Sequence, residues 1–451
     1  MMDTLYQSPV FAGIMYFLLI IVAAVYVVHK FKQGRPFTIF NIYIYVMLFT
    51  YIIITPFQFS NQAWYKLDYV NAEPFYPYLY KSISINFIGT VIFLLAEIYY
   101  ENRNKASYMG EGLCLKVQKS CKYQAVCMIF VFSALSWLYI VFKYNGGLPL
   151  FNGGRTFFYN SGAISFIYQS LGIVISALAM YFGLNWINTN KGLMWFCIGA
   201  FLSISTGNRG TFFLSIVYPF LLMLMYKRYK RISLSMILKL AVVFVVLIVF
   251  ALFIGTYRTG TLSNYSMLSS LLYGNTFSDI RDGSYLFWGY DTFMNNTVIG
   301  GKTYLAGILS FIPSSLSEFR TEWSWGRFST IKMFNGVWSN HFGFRGGNSF
   351  EAYVNFRMPG VILVSLLKGY IFANVEKAYN INIHDKLCEN KKFSPESILY
   401  LFLLYYAYAT LNVSQTMANL YVIVVLLICL RLIYTILSSN RNIRYAGKMK
   451  V

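Results

Sequence analysis

Residues 9–28 read PVFAGIMYFLLIIVAAVYVV, an apolar run without a single charge, and His29-Lys30-Phe31-Lys32 follow at once. About 20 apolar residues in a helix are what the hydrocarbon core of a bilayer requires, because a lipid-facing backbone group cannot stay unpaired there. The stretch therefore predicts a membrane-spanning helix. No Lys or Arg precedes Lys30 and no small-residue cleavage site follows, so the span is expected to be retained rather than removed as a signal.

Working outward, the same pattern recurs at about 37–56, 82–100, 123–142, 163–184, 193–206, 211–226, 233–254, 352–373, 397–412 and 416–437, which makes eleven expected spans. Composition agrees. Only 12% of the 451 residues are charged, against about 25% in soluble domains. The remaining charge is lopsided, with 37 Lys+Arg against 16 Asp+Glu. In a soluble protein that excess would raise the question of nucleic acid. In a membrane protein Lys and Arg gather in the cytoplasmic loops.

A census of the connections decides between these. His29–Arg35, Arg103–Lys122, Lys191, Lys227–Arg231, Lys377–Lys392 and the tail with Arg441, Arg444, Lys448 and Lys450 hold the basic clusters. The alternate connections hold Lys66, Lys143, Arg155, Arg209 and a scatter through 255–350. Strict alternation puts every cluster on one side, so the N-terminus is expected outside and the C-terminus inside. Cys114, Cys121 and Cys388 fall in expected cytoplasmic loops and Cys127, Cys197 and Cys429 in spans. No disulfide framework or metal spacing is implied.

The expected organisation is thus spans 1–8 over residues 1–254, a large outer loop over 255–350, and spans 9–11 with a basic tail over 351–451. The spans look poor in mid-membrane charge. Glu97 sits at a cytoplasmic end, and Arg357 and Lys368 are expected toward the ends of the ninth span. Ion-coupled transporters usually keep such charges at mid-membrane. The loop is far longer than an ordinary connection, which points to function or disorder, and its tryptophans argue against disorder. Tyr304–Leu316 reads as an amphipathic interfacial or re-entrant stretch interrupted by Pro313.

Chemistry is expected in this loop. TFSDIRDGSYLF (276–287) packs Asp279, Arg281 and Asp282 together, and RTEWSWGRF (320–328) sets Arg320 and Arg327 around two tryptophans. SNHFGFRGGNSFEAYVNFRMPG (339–360) brings His341, Arg345, Glu351 and Arg357 to the membrane re-entry. Arg209 in STGNRG and Arg258 in GTYRTG are expected on the same face. A lone interfacial Arg is more often a headgroup anchor. Several on one face, among aromatics and glycines, match phosphate oxygens through their planar forks and sugar rings through stacking. His341 beside Arg345 is a base or a pyrophosphate contact if it is not merely structural. Asp279 and Asp282 are the closest approach to a hard-cation site, and Arg281 between them argues against a metal.

With those residues in view, the whole chain resembles the bacterial O-antigen polymerase family (Wzy). The matching features are the span number, the STGNRG turn, the long late loop, the TFSD segment, IPSS (312–315) and the NHFG…NSFEAYVNFRMPG run. The family often reads Asn-Phe-Gly at the re-entry, where this chain has Asn355-Phe356-Arg357.

The resemblance implies an all-α, GT-C-like membrane glycosyltransferase of the bacterial inner membrane, acting on its periplasmic face in lipopolysaccharide biosynthesis. The implied reaction moves a growing glycan from undecaprenyl pyrophosphate to the end sugar of another lipid-linked repeat unit, with no cofactor. Arg209, Arg258, Arg281, Arg320 and Arg345 are the implied pyrophosphate ligands, and His341, Glu351 and Asp282 the candidate bases. Implied partners are the lipid-linked oligosaccharides, membrane lipids and a chain-length regulator protein, and no nucleic acid. An O-antigen ligase and a lipid-linked oligosaccharide flippase are the alternatives.

Overall fold

The computed structural model describes residues 2–33, 38–60, 76–106, 123–149, 163–189, 191–206, 242, 279–312, 316–334, 345–379 and 393–448. Among them every regular element is helical. The principal helices are α1 (Pro9–Lys32), α2 (Ile39–Phe49), α3 (Tyr76–Ala106), α4 (Tyr123–Asn145), α5 (Ala163–Thr189) and α6 (Leu193–Ser205). They continue with α7 (Asp279–Met294), α8 (Lys302–Ile308), α9 (Glu318–Trp323), α10 (Phe350–Tyr379), α11 (Pro395–Asn412) and α12 (Met417–Lys448).

Seven stretches are long and apolar enough to cross a membrane: Pro9–Lys32, Phe40–Phe59, Tyr76–Arg103, Tyr123–Asn145, Ile164–Trp186, Phe350–Lys377 and Ser414–Ile433. The protein is a polytopic membrane protein. Each stretch covers one expected span. The expected span 193–206 coincides with the shorter apolar helix α6. That at 397–412 falls on α11, which is helical but not apolar enough over its length to count with the seven. The expected spans at 211–226 and 233–254 lie outside the described residues.

The chain forms two compact units. The first comprises Met1–Leu113, Ser263–Lys377 and Leu404–Ala418. Its frame is α1 packed along α3, and α7 packed along α3 as well. The described part of the long segment before α10 is therefore packed into the bundle at α7. The run Ile280–Phe287 of α7 is buried on every side, its polar Arg281, Asp282 and Ser284 included. Leu286, Phe287 and Tyr290 of α7 join Ile85 of α3 and Phe350, Tyr353 and Val354 of α10 in one core.

α10 is two helices joined by a sharp reversal at Arg357, whose backbone sits at φ 57°, ψ −152°. That region is normally reserved for glycine and costs about 1–3 kcal/mol for another residue. Pro359, two residues on, cannot continue the preceding helix. The arms fold back on each other. A Cβ at Gly360 would lie 2.6 Å from the Ala352 carbonyl oxygen, and Lys368 Nζ, midway down the second arm, donates to the Asn348 carbonyl. α10 is thus a helical hairpin whose first arm re-enters the bundle beside α3. Gly89 of α3 makes room for it, because a Cβ there would lie 1.9 Å from Ser349 Oγ.

These helices bury more charge than their sequences promised. Lys30, Lys81, Lys368, Glu97 and Glu376 are all buried. Lys368 sits within α10 rather than near its end. Near the basic end of α1, Lys30 pairs with Glu97 at 2.7 Å and with Glu101 at 3.0 Å. Mutual neutralisation is what makes such burial tolerable.

The second unit comprises Cys114–Leu262, Ala378–Leu403 and Asn419–Val451. In it α5 packs against both α4 and α6. Trp137 stacks on Tyr168, and Phe130 meets Phe182 and Trp195 edge-on. α12 carries the basic tail, which continues it as helix to Lys448.

Candidate active site

α3 is the wall on which the site is built. Its polar residues Ser82, Asn86 and Thr90 recur every fourth position, which places them on one helix face, and all are fully buried. Ser82 Oγ donates to the Ile280 carbonyl at 2.7 Å, tying α7 to this face. Asn86 holds the tip of the re-entrant arm. Its Nδ2 donates to the Gly346 carbonyl at 3.3 Å, and its Oδ1 accepts from the Ser349 N–H at 3.0 Å. Between them Gly347 adopts φ +74°, a left-handed conformation that favours glycine. The Tyr51 hydroxyl accepts from the Asn348 N–H at 3.1 Å.

This scaffold brings two arginines and two aspartates together. Arg281 Nη2 donates to Asp282 Oδ1 at 3.1 Å, and both side chains are buried. Arg345 reaches Asp279 Oδ1 through Nη1 at 3.2 Å and Asp282 Oδ2 through Nε at 3.8 Å. Its backbone N–H also points at Asp282 Oδ2, 3.4 Å away. Arg345 is 47% exposed, so part of its side chain stays accessible. The protein mass around Asp279 raises its carboxyl above the usual aspartate range, against the pull of Arg345 and with help from the charge on Asp282.

Two guanidinium groups, one partly open, can bind a multiply charged oxyanion. A carboxylate with raised proton affinity can accept a proton from a hydroxyl placed beside it. Among the described residues no three His, Cys, Asp or Glu side chains gather as a metal site would need.

Of the eight expected site residues, Arg281, Asp282 and Arg345 converge here. Glu351 is buried elsewhere on the hairpin, where it accepts from Thr303 Oγ1 at 2.7 Å and from the Ser414 N–H at 2.9 Å. With both oxygens engaged it fastens α8 and the turn before α12 to the first arm of α10. Arg320 on α9 donates to the Ile312 carbonyl and has no described contact to the cluster. Arg209, Arg258 and His341 lie outside the described residues.

Sequence reading set Asp279 aside as half of an unsatisfactory metal pair and overlooked Asn86. The fourfold spacing of Ser82, Asn86 and Thr90 within an apolar helix was the available signal for the latter. Nothing local announces that Asn348 would meet Tyr51, 297 residues away.

A family model for the O-antigen polysaccharide polymerase Wzy matches residues 1–387. No curated protein and no solved structure matches the chain.

Proposed function

The chain belongs to the O-antigen polysaccharide polymerase Wzy family, and we propose that it joins lipid-linked repeat units at the Arg281–Asp282–Arg345–Asp279 corner. Members of this family are inner-membrane glycan polymerases whose substrates are lipid-linked repeat units. The observation that carries the assignment is the convergence of both arginines and both aspartates at the tip of the re-entrant arm.

In this reading Arg345 and Arg281 bind the pyrophosphate of the donor, undecaprenyl-pyrophosphate-linked glycan. The acceptor sugar's hydroxyl attacks the anomeric carbon of the donor. The bond from that carbon to the pyrophosphate oxygen breaks, and its electron pair leaves with the phosphate, whose growing charge the guanidinium groups stabilise. The hydroxyl proton passes to Asp279. Asp282 holds both arginines in place, and Arg209, Arg258 and His341 remain proposed contributors from the rest of the chain.

Charge supports an orientation for the site. Asn86 precedes Glu97 on α3 by about 16 Å of helix, and Glu97 lies with Lys30 at the basic, cytoplasmic end of α1. That separation supports a site opening toward the periplasm. Eleven spans, N-out and C-in, with a GT-C-like arrangement complete the reading, as does the division at 254 and 350.

The test is reconstitution in lipid nanodiscs with a defined undecaprenyl-pyrophosphate repeat unit, with products resolved as a ladder. Arg345→Ala is expected to lower the rate by about 100- to 1,000-fold while the protein still inserts and purifies. Full ladders from Arg345→Ala and Arg281→Ala alike would refute this location.

A further inference from the structure

The tip that carries Arg345 is made of residues that cannot hold it still by themselves. Gly346 and Gly347 follow Arg345 directly, and glycine has more backbone freedom to lose than any other residue. Yet the Arg345 side chain meets Asp279 and Asp282 together, at 3.2 and 3.8 Å. That geometry needs a backbone fixed from outside the tip.

Four backbone groups of this short segment are bonded by side chains from three separate elements. Asn86 of α3 takes the Gly346 carbonyl and the Ser349 N–H. The other two groups belong to Asn348. Its N–H donates at 3.1 Å to the hydroxyl of Tyr51, in the π-helical turn that continues α2. Its carbonyl accepts from Lys368 Nζ in the second arm of α10. The hairpin explains this last contact. Asn348 lies nine residues before the reversal at Arg357 and Lys368 eleven after it, so antiparallel arms bring the two level.

Lys368 is a costly residue for such a place. It is fully buried within the membrane-spanning stretch Phe350–Lys377, where a lysine is unfavourable and generally marks function. The acidic group that acts on it, Glu351, has its oxygens bonded to Thr303 and Ser414. What Lys368 Nζ grips is the tip backbone, three residues from Arg345.

We propose that Lys368 is a positioning residue for the reaction, holding Arg345 in register with Asp279 and Asp282 through Asn348. Tyr51 braces the other side of the same residue, and neither side chain touches substrate. With the clamp released, the Gly-Gly segment lets the Arg345 guanidinium shift, and a misplacement of about 1 Å can cost a reaction about 100-fold. The inference rests on the corner as the place of reaction.

A double-mutant cycle tests it, using the purified full chain and its native lipid-linked repeat in nanodiscs. Lys368→Met keeps an unbranched apolar side chain and removes the donor. It is expected to lower kcat by about 10- to 100-fold. In an Arg345→Ala background the same change should cost less than about twofold, because the group being positioned is gone. Tyr51→Phe should lower kcat by about threefold to tenfold and lose its effect in the same way. It decides the question if Lys368→Met does not fold.

An unchanged kcat in Lys368→Met overturns the proposal. So does an equal loss with and without Arg345, which marks a residue that only supports the fold. Arg345→Ala judges the corner separately. Shortened ladders from Arg345→Ala beside a full rate from Lys368→Met would remove the clamp alone, whereas full ladders from Arg345→Ala would remove both.

Discussion

At the scale of single residues, the corner asks more of Asp279 than of an ordinary aspartate. Its carboxyl pKa is raised chiefly by removal from bulk water. If it accepts the proton, activity requires its ionised form. Turnover should therefore be full above the raised pKa and fall as pH drops through it. The acidic limb then lies at higher pH than an unperturbed aspartate would give. Asp279→Asn should abolish most turnover and flatten what remains across that range. A pH–rate profile in nanodiscs measures both, and an Asp279→Asn enzyme with an unaltered limb would assign the proton elsewhere. Asp282, bonded to both arginines, should behave differently. Its loss frees Arg281 and Arg345 and should raise KM along with lowering kcat.

At the scale of elements, the hairpin of α10 is the part whose failure would be felt everywhere. Its first arm is held by Glu351 on one side and by the Gly89 groove on the other. Glu351→Ala leaves the Thr303 hydroxyl and the Ser414 N–H without their acceptor, a cost of about 1–3 kcal/mol. Its signature should be a lowered thermal midpoint, with residual activity in the protein that remains folded. Glu351→Gln keeps one acceptor and should recover part of the stability. Gly89→Ala sets a methyl group against Ser349 and should cost about 1–3 kcal/mol by overpacking. It should also displace the arm that carries Arg345. A Gly89→Ala protein with unchanged melting and activity would mean that the arm lies elsewhere.

At the scale of the whole molecule, the alternation of basic clusters makes a topology that can be measured directly. In a cysteine-free background, Asn295→Cys should react with a membrane-impermeant maleimide added outside spheroplasts. A cysteine in place of Arg441 should react only after the membrane is opened. Reversed labelling would turn the site toward the cytoplasm.

Much of this architecture was legible beforehand. Seven expected spans coincide with long apolar helices, because burying backbone in lipid needs a run of about 20 apolar residues, and such a run is a local property. The arginines and aspartates of TFSDIRD and GFRGG were legible as chemistry for a related reason, since planar cations set among glycines are visible in a line of text. The reversal at Arg357 was not. A charged residue in a glycine conformation runs against local preference, and only packing of the two arms enforces it. The buried lysines were missed or misplaced because a lysine near an expected helix end reads as an anchor until its partners are known.

By itself, then, the sequence determined that the chain crosses the membrane many times and which ends carry the positive charge, and it marked out charged residues as candidates for a site. These follow from hydropathy, charge and residue type, which each position carries regardless of its neighbours in space. Tertiary structure alone decided that Arg281 and Arg345 share two aspartates, that Glu351 serves as a fastener, and that Lys368 meets Asn348 across the hairpin. Contacts between residues 63 and 297 positions apart depend on how helices fold back and pack, and no local pattern encodes that.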